Sequence, residues 1–268
     1  MLKAQDKPTV AAKASWFNRL VWFCLVPVVA ILSLAPAVYA SGSNAEVKIA
    51  VLSLRGDAEA LRMWSATATF LAEKIPGYSF TIVPYDFRAI TPAAQRGDFD
   101  FVVANSSIYI ELEALCGITR IATLKGLGSG RSATLFGGVV FSKKDRSDIE
   151  SLSDIRNKIF MATEENSFGG WRMAWREFHA AGIDPYHDFR KLEFAGTQDR
   201  VVYAVRDGKA DAGTVRTGII ESMAREGKIK KEDFKIINSQ TYENFNLAHS
   251  TRLYPEWPLP GCDKLMML

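Results

Sequence analysis

One short pattern occurs twice in this chain and constrains the fold more than any other feature. Residues 97–105 and 208–216 each open with a glycine, place an aspartate three residues later, and continue into a strand-like run with a polar end. The glycines are predicted to close helices, and the last residues, Asn105 and Arg216, are predicted to lie at the carboxyl ends of strands. Ligands of open α/β sheets bind beyond the carboxyl ends of strands. The pattern therefore predicts two lobes that face one cleft.

Composition and charge place the chain among ordinary globular proteins. Its 268 residues allow one large or two small domains, and fractions of 48% hydrophobic and 24% charged residues permit a buried core. The net charge of +3 is too small to indicate nucleic-acid binding, and no basic run interleaved with aromatic residues supports that class. We therefore expect no nucleic-acid partner.

Residues 1–40 have the pattern of a signal peptide. Basic residues precede an apolar run over residues 20–38, and small residues around Ala40 are followed by a polar break. This pattern predicts an exported, periplasmic protein. An uncleaved anchor in the inner membrane is the alternative, because the run approaches the roughly 20 residues of a spanning helix, although Pro27 and Pro36 weaken that alternative.

The spacing of cysteine and histidine gives no metal site. Cys116 and Cys262 would remain after removal of the leader, and an oxidising compartment permits a disulfide between them. Two independent thiols are an equally good alternative. His179, His187 and His249 are scattered, and neither a CxxC nor an HExxH motif occurs. We expect no metal and no cofactor.

Short apolar strands alternate with amphipathic helices from Glu46 onward, which predicts α/β units with mainly parallel sheets. The glycine-rich residues 125–131 separate two such series. The apolar run 133–141 is the predicted first crossing between lobes, and the polar stretch 238–247 is the predicted return crossing. The strands are predicted at 47–52, 78–84, 99–104, 158–162, 189–194, 210–215 and 234–237, and the helices at 58–74, 90–96, 108–116, 149–157, 171–181, 197–207 and 218–226.

Two α/β lobes joined by two crossings are typical of a clamshell binding protein, which closes on its ligand by hinge motion. The predicted domains are a signal peptide or membrane anchor at residues 1–40, a first lobe at residues 46–137 plus 243–268, and a second lobe at residues 138–242.

Polar helix starts are candidates for ligand contacts. Asn105 and Ser106 follow a strand of the first lobe, and Ser167 opens a helix of the second lobe. A helix start offers free backbone N–H groups and a positive dipole end to an anion. Plain N-capping is the alternative for each motif taken alone. Their coincidence with Thr214 at one predicted cleft favours binding.

Two arginines and two aromatic residues join the candidate set. Arg55 and Arg216 each follow or end a predicted strand, and a guanidinium there suits a carboxylate, a phosphonate or a sulfur oxyanion. A solvated turn is the alternative for Arg55, and a surface salt bridge is the alternative for Arg216. Trp64 and Tyr109 are candidates for an aromatic cleft wall, whereas Trp175 is assigned to the core.

An enzyme is the second class of function that we considered. A hydrolase elbow requires Gly-x-Ser-x-Gly, but Leu127 takes the place of the first glycine before Ser129, and no histidine is coupled to that serine. The glycine-rich residues 126–130 lack the strand-to-helix context of a phosphate or dinucleotide loop. We therefore expect a binding domain without catalytic residues.

Four motifs together resemble the PhnD-like family of periplasmic binding proteins, the phosphate/phosphite/phosphonate type. Within that family the chain resembles the branch that forms extracytoplasmic sensor domains of histidine kinases, tetrathionate sensors among them. The resemblance covers almost all of residues 46–258 and implies a two-lobed, type II periplasmic-binding-protein fold. The motifs are residues 55–57 with Trp64, residues 104–106 with 109–113, residues 167–170 with 173–177, and residues 211–217; residues 249–258 resemble the closing motif of the sensor branch.

The resemblance also implies a site and partners. Family members hold their ligand between the lobes, and Trp64 here replaces the first-helix tyrosine of the phosphonate binders, which favours an oxyanion other than phosphonate. The implied partner is a membrane kinase module or an ABC permease. Because sensors continue beyond the position of Leu268, we interpret the sequence as that of a truncated or frame-disrupted sensor, with a free solute-binding protein as the alternative. The positions carried over by motif are Trp64, Asn105, Ser106, Tyr109, Ser132, Ser167 and Asp211.

Overall fold

The computed structural model describes residues 44–126 and 134–261. The predicted leader, Ser132 and Cys262 lie outside the described residues. In the part of the chain that is described, no helix combines the length and the apolar character needed to cross a membrane.

Strands and helices alternate along the described chain, as the sequence predicts. A π-helical turn at Phe168–Arg172 precedes α4, and two 3-10 turns lie at Leu152–Ile155 and Lys231–Asp233. The elements are β1 (Ala45–Leu52), α1 (Asp57–Lys74), β2 (Tyr78–Tyr85), α2 (Ile90–Arg96), β3 (Phe101–Val103), α3 (Ser106–Cys116), β4 (Thr119–Thr123), β5 (Leu135–Phe136), β6 (Gly138–Lys143), β7 (Ile159–Ala162), α4 (Met173–Ala180), α5 (Pro185–Asp188), β8 (Lys191–Phe194), α6 (Gln198–Arg206), β9 (Ala212–Arg216), α7 (Ile219–Arg225), β10 (Phe234–Ile237), β11 (Tyr254–Pro255) and β12 (Pro258–Gly261).

The first lobe is the sheet β2-β1-β3-β12-β4 with helices α1 to α3. Strands β1, β2 and β3 are parallel, and β12 lies antiparallel between β3 and β4. Glycines end the helices where the sequence predicts: Gly97 after α2 has a φ of 71° and Gly117 after α3 has a φ of 67°. Both values lie in the left-handed region that glycine adopts without strain. Because β1 and β3 are parallel neighbours, their carboxyl ends meet at one edge of this sheet.

The second lobe is the sheet β10-β6-β9-β7-β8 with helices α4 to α7. Strands β7, β8 and β9 are parallel, whereas β6 is antiparallel to both β9 and β10. The two faces of this sheet pack into separate cores. Phe141 and Val215 face a cluster with α6 and α7, while Val140 and Ala212 face a cluster with α4. Burial on both faces explains why β6 is apolar from Gly138 to Phe141.

Two extended segments cross between the lobes side by side. β5 pairs with β11, so Phe136 lies opposite Tyr254. Gly138 follows at a point of close approach, where an added Cβ would lie 3.0 Å from both the carbonyl oxygen of Gly169 and Cγ2 of Thr251. The glycines at the first crossing are therefore required for close approach, as predicted.

Some predicted elements are wrong in extent or place. The apolar run 133–141 is mostly the inner strand β6 rather than a crossing, and only Leu135–Phe136 pairs in the crossing. The return crossing is formed by the segment ending at Tyr254–Pro255, after the predicted stretch 238–247. The predicted helix 149–157 is a single 3-10 turn. The predicted lobe boundaries remain a prediction.

Candidate functional site

A cleft of about 960 Å³ lies between the two lobes. The first lobe contributes the loop after β1 and one face of α1. The second lobe contributes the end of β9 and α7, and the segment before β12 closes one wall. The apolar part of the lining consists of Leu52, Leu54, Ala60, Met63, Trp64, Leu124, Ile219, Leu247 and Trp257.

Charged side chains of both signs also line the cleft, and they nearly balance. The basic members are Arg55, Arg62, Lys125, Arg216 and Arg225, and the acidic members are Glu59, Glu221, Glu226 and Glu256. Outside the gap at 127–133 and the two termini, no group of three His, Cys, Asp or Glu side chains is placed to hold a metal ion.

Arg216 lies on the wall of the cleft, as the sequence predicts, but its guanidinium forms an ion pair with a protein carboxylate. Nη2 donates a hydrogen bond to Oε1 of Glu256, whose side chain is 7% exposed. The guanidinium carbon lies 4.7 Å from the ring centre of Phe136 and 5.8 Å from that of Trp257. Nε of Arg216 is buried and has no hydrogen-bond partner among the described residues. The alternative for Arg216 was a surface salt bridge; the salt bridge observed is with a buried carboxylate.

Arg55 also lines the cleft, and it joins the two lobes. Its guanidinium donates to both carboxylate oxygens of Asp199, at 2.6 and 3.0 Å, and to both of Glu226, at 2.7 and 2.8 Å. Glu59 of α1 lies 3.5 Å away. These carboxylates raise the pKa of Arg55, and the hydrogen bond from Arg55 lowers the pKa of Glu226 to about 2. The solvated-turn alternative for Arg55 is therefore wrong.

The two predicted wall aromatics differ in position. Trp64 lies on the cleft face of α1 and packs partly against the first-lobe core. Tyr109 packs against the same core but is not part of the cleft lining, and its hydroxyl donates to Oε1 of Glu113 at 2.5 Å. This hydrogen bond raises the pKa of Tyr109. Trp175, assigned to the core by sequence, is 42% exposed on α4, so that assignment is wrong.

Asn105 and Ser106 stand at the start of α3, behind the cleft lining. The side-chain oxygen of Asn105 accepts hydrogen bonds from the backbone N–H groups of Ser107, at 2.9 Å, and Ile108, at 3.1 Å. Asn105 is 2% exposed. The observed role of Asn105 is therefore the N-cap that the sequence offered as the alternative.

Ser167 directly precedes the π-helical turn Phe168–Arg172, and Thr214 lies in β9, which contacts this turn. Both residues are fully buried, and Ser167 makes no side-chain capping bond. The hydroxyls of Thr214 and Thr163 have no hydrogen-bond partner among the described residues. A Cβ on Gly170 would lie 2.2 Å from Oγ1 of Thr163 and 2.7 Å from Oγ of Ser167. The cleft lining includes none of the hydroxyl residues Thr163, Ser167 and Thr214.

Asp211 lies at the other end of its strand. It precedes the first residue of β9, whereas Arg216 is the last residue, so the two lie at opposite edges of the sheet. Asp211 accepts hydrogen bonds from the backbone N–H of Ile159 at 2.7 Å and from Nη1 of Arg146 at 2.5 Å. Burial opposes its ionisation, but these two hydrogen bonds outweigh burial and lower its pKa. The structure does not bring Asp211 to the cleft.

The structure thus brings Arg55, Trp64 and Arg216 together at the cleft, and it adds residues that the sequence did not single out. Glu256 and Trp257 stand in the C-terminal motif, and Glu226 follows α7. The only signal for Glu256 and Trp257 was their place in the motif at residues 249–258. For Glu226 and Asp199, no sequence pattern indicates that they meet Arg55.

Known periplasmic binding proteins are similar to this chain in sequence and in fold. A protein-family model described as "ABC transporter, phosphonate, periplasmic substrate-binding protein" matches residues 49–260. The tetrathionate sensor histidine kinase TtrS of Salmonella typhimurium is 30% identical over 211 residues, which cover 78% of this chain. The chain spans 35% of the length of that kinase.

Two solved structures have the same fold. One is a binding protein component of an ABC phosphonate transporter from Pseudomonas aeruginosa, with a TM-score of 0.67 and 17% identity, covering 81% of this chain and 68% of that one. The other is PhnD1 from Prochlorococcus marinus in complex with methylphosphonate, with a TM-score of 0.66 and 16% identity, covering 83% of this chain and 78% of that one. At these identities the likeness shows a shared fold.

Proposed function

This chain belongs to the family of periplasmic phosphonate-type substrate-binding proteins, and we propose that it binds a small oxyanion in the cleft between its lobes. Membership implies an extracytoplasmic location and a ligand-binding role for this domain. The proposal concerns the chemical class of the ligand and the residues that contact it.

The observation that carries the proposal is the cleft itself. Side chains from both lobes line it, so a ligand there contacts both at once. Trp64 and Trp257 are aromatic members of the lining, and Arg62, Lys125 and Arg225 are cationic members from α1, the segment after β4 and α7. A concave, partly apolar cleft with a few convergent polar groups is typical of small-molecule sites.

Of the ten predicted contact residues, Trp64 and Arg216 are the contacts that the geometry supports best. Both line the cleft. Arg55 lines it as well, but its guanidinium already donates to two carboxylates. Because Glu256 neutralises Arg216, the wall presents hydrogen-bond donors with little net charge. Such a wall suits oxygen atoms of low charge density, as in an oxyanion whose charge is spread over several oxygens.

Ligand binding would act through closure. A ligand that touches both lobes favours the closed state by the difference between its affinities for the closed and open states. In the family, such closure serves either a kinase or a permease. We propose the sensor role, because the curated relative at 30% identity is a sensor kinase. Delivery to an ABC permease is the alternative, and a kinase reading frame or permease genes beside the coding sequence would distinguish them.

A thermal-shift screen followed by titration calorimetry tests the ligand class. The panel contains tetrathionate, thiosulfate, sulfite, phosphite and methylphosphonate, with choline and a neutral sulfone as controls. We expect stabilisation by at least one oxyanion and none by the controls, with binding weakened by Trp64→Ala. Stabilisation by the cation or by the neutral compound alone would contradict the proposal.

A further inference from the structure

Arg55 contacts two carboxylates of the other lobe at once. It follows β1 of the first lobe, whereas Asp199 lies in the first turn of α6 and Glu226 follows α7 of the second lobe. Four hydrogen bonds of 2.6 to 3.0 Å connect one guanidinium to the two carboxylates. The Arg55 side chain is 6% exposed, so water screens these pairs less than it screens an ordinary surface ion pair.

A backbone hydrogen bond reinforces the same junction. The N–H of Gln198 donates to the carbonyl oxygen of Leu54 at 2.9 Å, although the two residues belong to different lobes. The side-chain oxygen of Gln198 accepts from the backbone N–H of Arg216 at 2.7 Å. The start of α6 is thus tied to the first lobe and to β9 at once.

The charges at this junction balance only when the lobes are together. Lys228 of the second lobe lies 2.8 Å from Glu226 and 3.5 Å from Asp199. With Arg55 in place, two cations face two carboxylates. If the lobes separated, Lys228 alone would face both carboxylates, and Arg55 would keep only Glu59 of its own lobe. Opening therefore has an electrostatic cost.

We propose that Arg55, Asp199 and Glu226 form a latch that holds the two lobes closed before any ligand is bound. The latch is made of protein groups alone, and it closes the side of the cleft where α1 faces α7. The latch therefore sets the fraction of molecules in which the two lobes are apart. This inference does not depend on the identity of the ligand.

Hydrogen exchange of the ligand-free, full-length chain tests the latch, because the amide of Gln198 has its hydrogen-bond partner in the other lobe. The unmodified chain is compared with Asp199→Asn/Glu226→Gln. We expect exchange of the Gln198 amide to rise about tenfold or more in the double variant, since hydrogen bonds to charged groups are lost. The amide of Asp211, whose hydrogen-bond partner is the carbonyl oxygen of Ile159 at 2.9 Å in the same lobe, serves as an internal reference and stays protected.

The matched control is Arg62→Gln. Arg62 also lines the cleft, but its carboxylate partner Glu59 lies on the same helix, at 2.6 Å, so we expect the Gln198 amide to stay protected in Arg62→Gln.

Fast exchange at Gln198 in the unmodified chain, or equal protection in the double variant, would overturn the latch. If the Asp211 amide loses its protection in the double variant, Arg55→Lys replaces that variant, because a lysine ammonium cannot form paired hydrogen bonds with two carboxylates. Fast exchange of the Gln198 amide in the unmodified chain, or equal protection of that amide in Arg55→Lys, would then overturn the latch.

Discussion

Arg216 donates a hydrogen bond from Nη2 to Oε1 of Glu256, so a cleft arginine of the second lobe is neutralised by a carboxylate from the segment before β12. The flat guanidinium also lies against the rings of Phe136 and Trp257. Cation–π contact and ion pairing both favour this one orientation. The pair therefore fixes the wall of the cleft as well as linking the crossing segments.

We predict that Arg216→Ala destabilises the fold by about 3 kcal/mol, because it leaves the charge of Glu256 buried without a partner. Arg216→Ala/Glu256→Gln should recover a large part of that loss, and urea unfolding of the single and double variants measures the coupling. Arg225→Ala is the control. Arg225 lines the same cleft, but among the described residues its side chain donates only to Ser222, at 3.1 Å, so we expect a change within about 0.5 kcal/mol. Additive losses in the double variant would contradict the pairing.

Local signals predicted most of the fold. α2 and β10 have the predicted bounds, and α1, α6 and α7 agree within one or two residues, because a glycine or an apolar period marks each end. What the sequence did not indicate are β4 and β12. All five residues of β4 are exposed, so no apolar alternation marks the strand, and β12 contains two prolines. β4 and β12 form strands by pairing with each other over a long sequence separation, and a local sequence pattern does not indicate such a pairing.

The site was less predictable, for a physical reason. A strand end indicates which residues reach the cleft, and this signal correctly placed Arg55 and Arg216 there. It does not indicate which carboxylates arrive opposite them. Glu226 and Glu256 follow other elements, and only the packing of the lobes brings them to the arginines. Asp211 shows the converse, since it belongs to the repeated pattern but lies at the far edge of its sheet.

Trp64→Ala should weaken binding of the responding oxyanion about tenfold, because it removes an aromatic face from the cleft. Trp175→Ala is a matched control, since Trp175 is also partly exposed but lies on α4 beside His179, outside the cleft lining. Titration calorimetry of both variants gives the comparison. Equal loss of affinity in the two variants would remove Trp64 from the proposed contacts.

Asp211→Asn should lower stability by about 1 to 2 kcal/mol and leave ligand affinity unchanged. The carboxylate accepts from Arg146 and from the backbone of Ile159 at the edge of the sheet opposite Arg216, and an amide retains only part of that bonding. Thermal unfolding and calorimetric titration of the same preparation separate the two effects. A loss of affinity with unchanged stability would return Asp211 to the binding site.

Stability should fall in acid partly through Glu226, whose pKa is lowered from 4.5 to about 2, first by the hydrogen bond from Arg55 and then by Lys228. A depressed carboxylate pKa contributes stability that is complete above the unfolded value near 4.5 and is lost as the pH falls through about 2. Burial of Glu226 and the nearby carboxylate of Glu59 act in the opposite direction and raise the pKa.

Glu226→Gln has no carboxyl group to titrate at this position. The difference in unfolding free energy between the unmodified chain and Glu226→Gln should therefore shrink as the pH falls from about 7 to about 3. Urea unfolding at both pH values measures it, and a constant difference would show that Glu226 is not held ionised by Arg55.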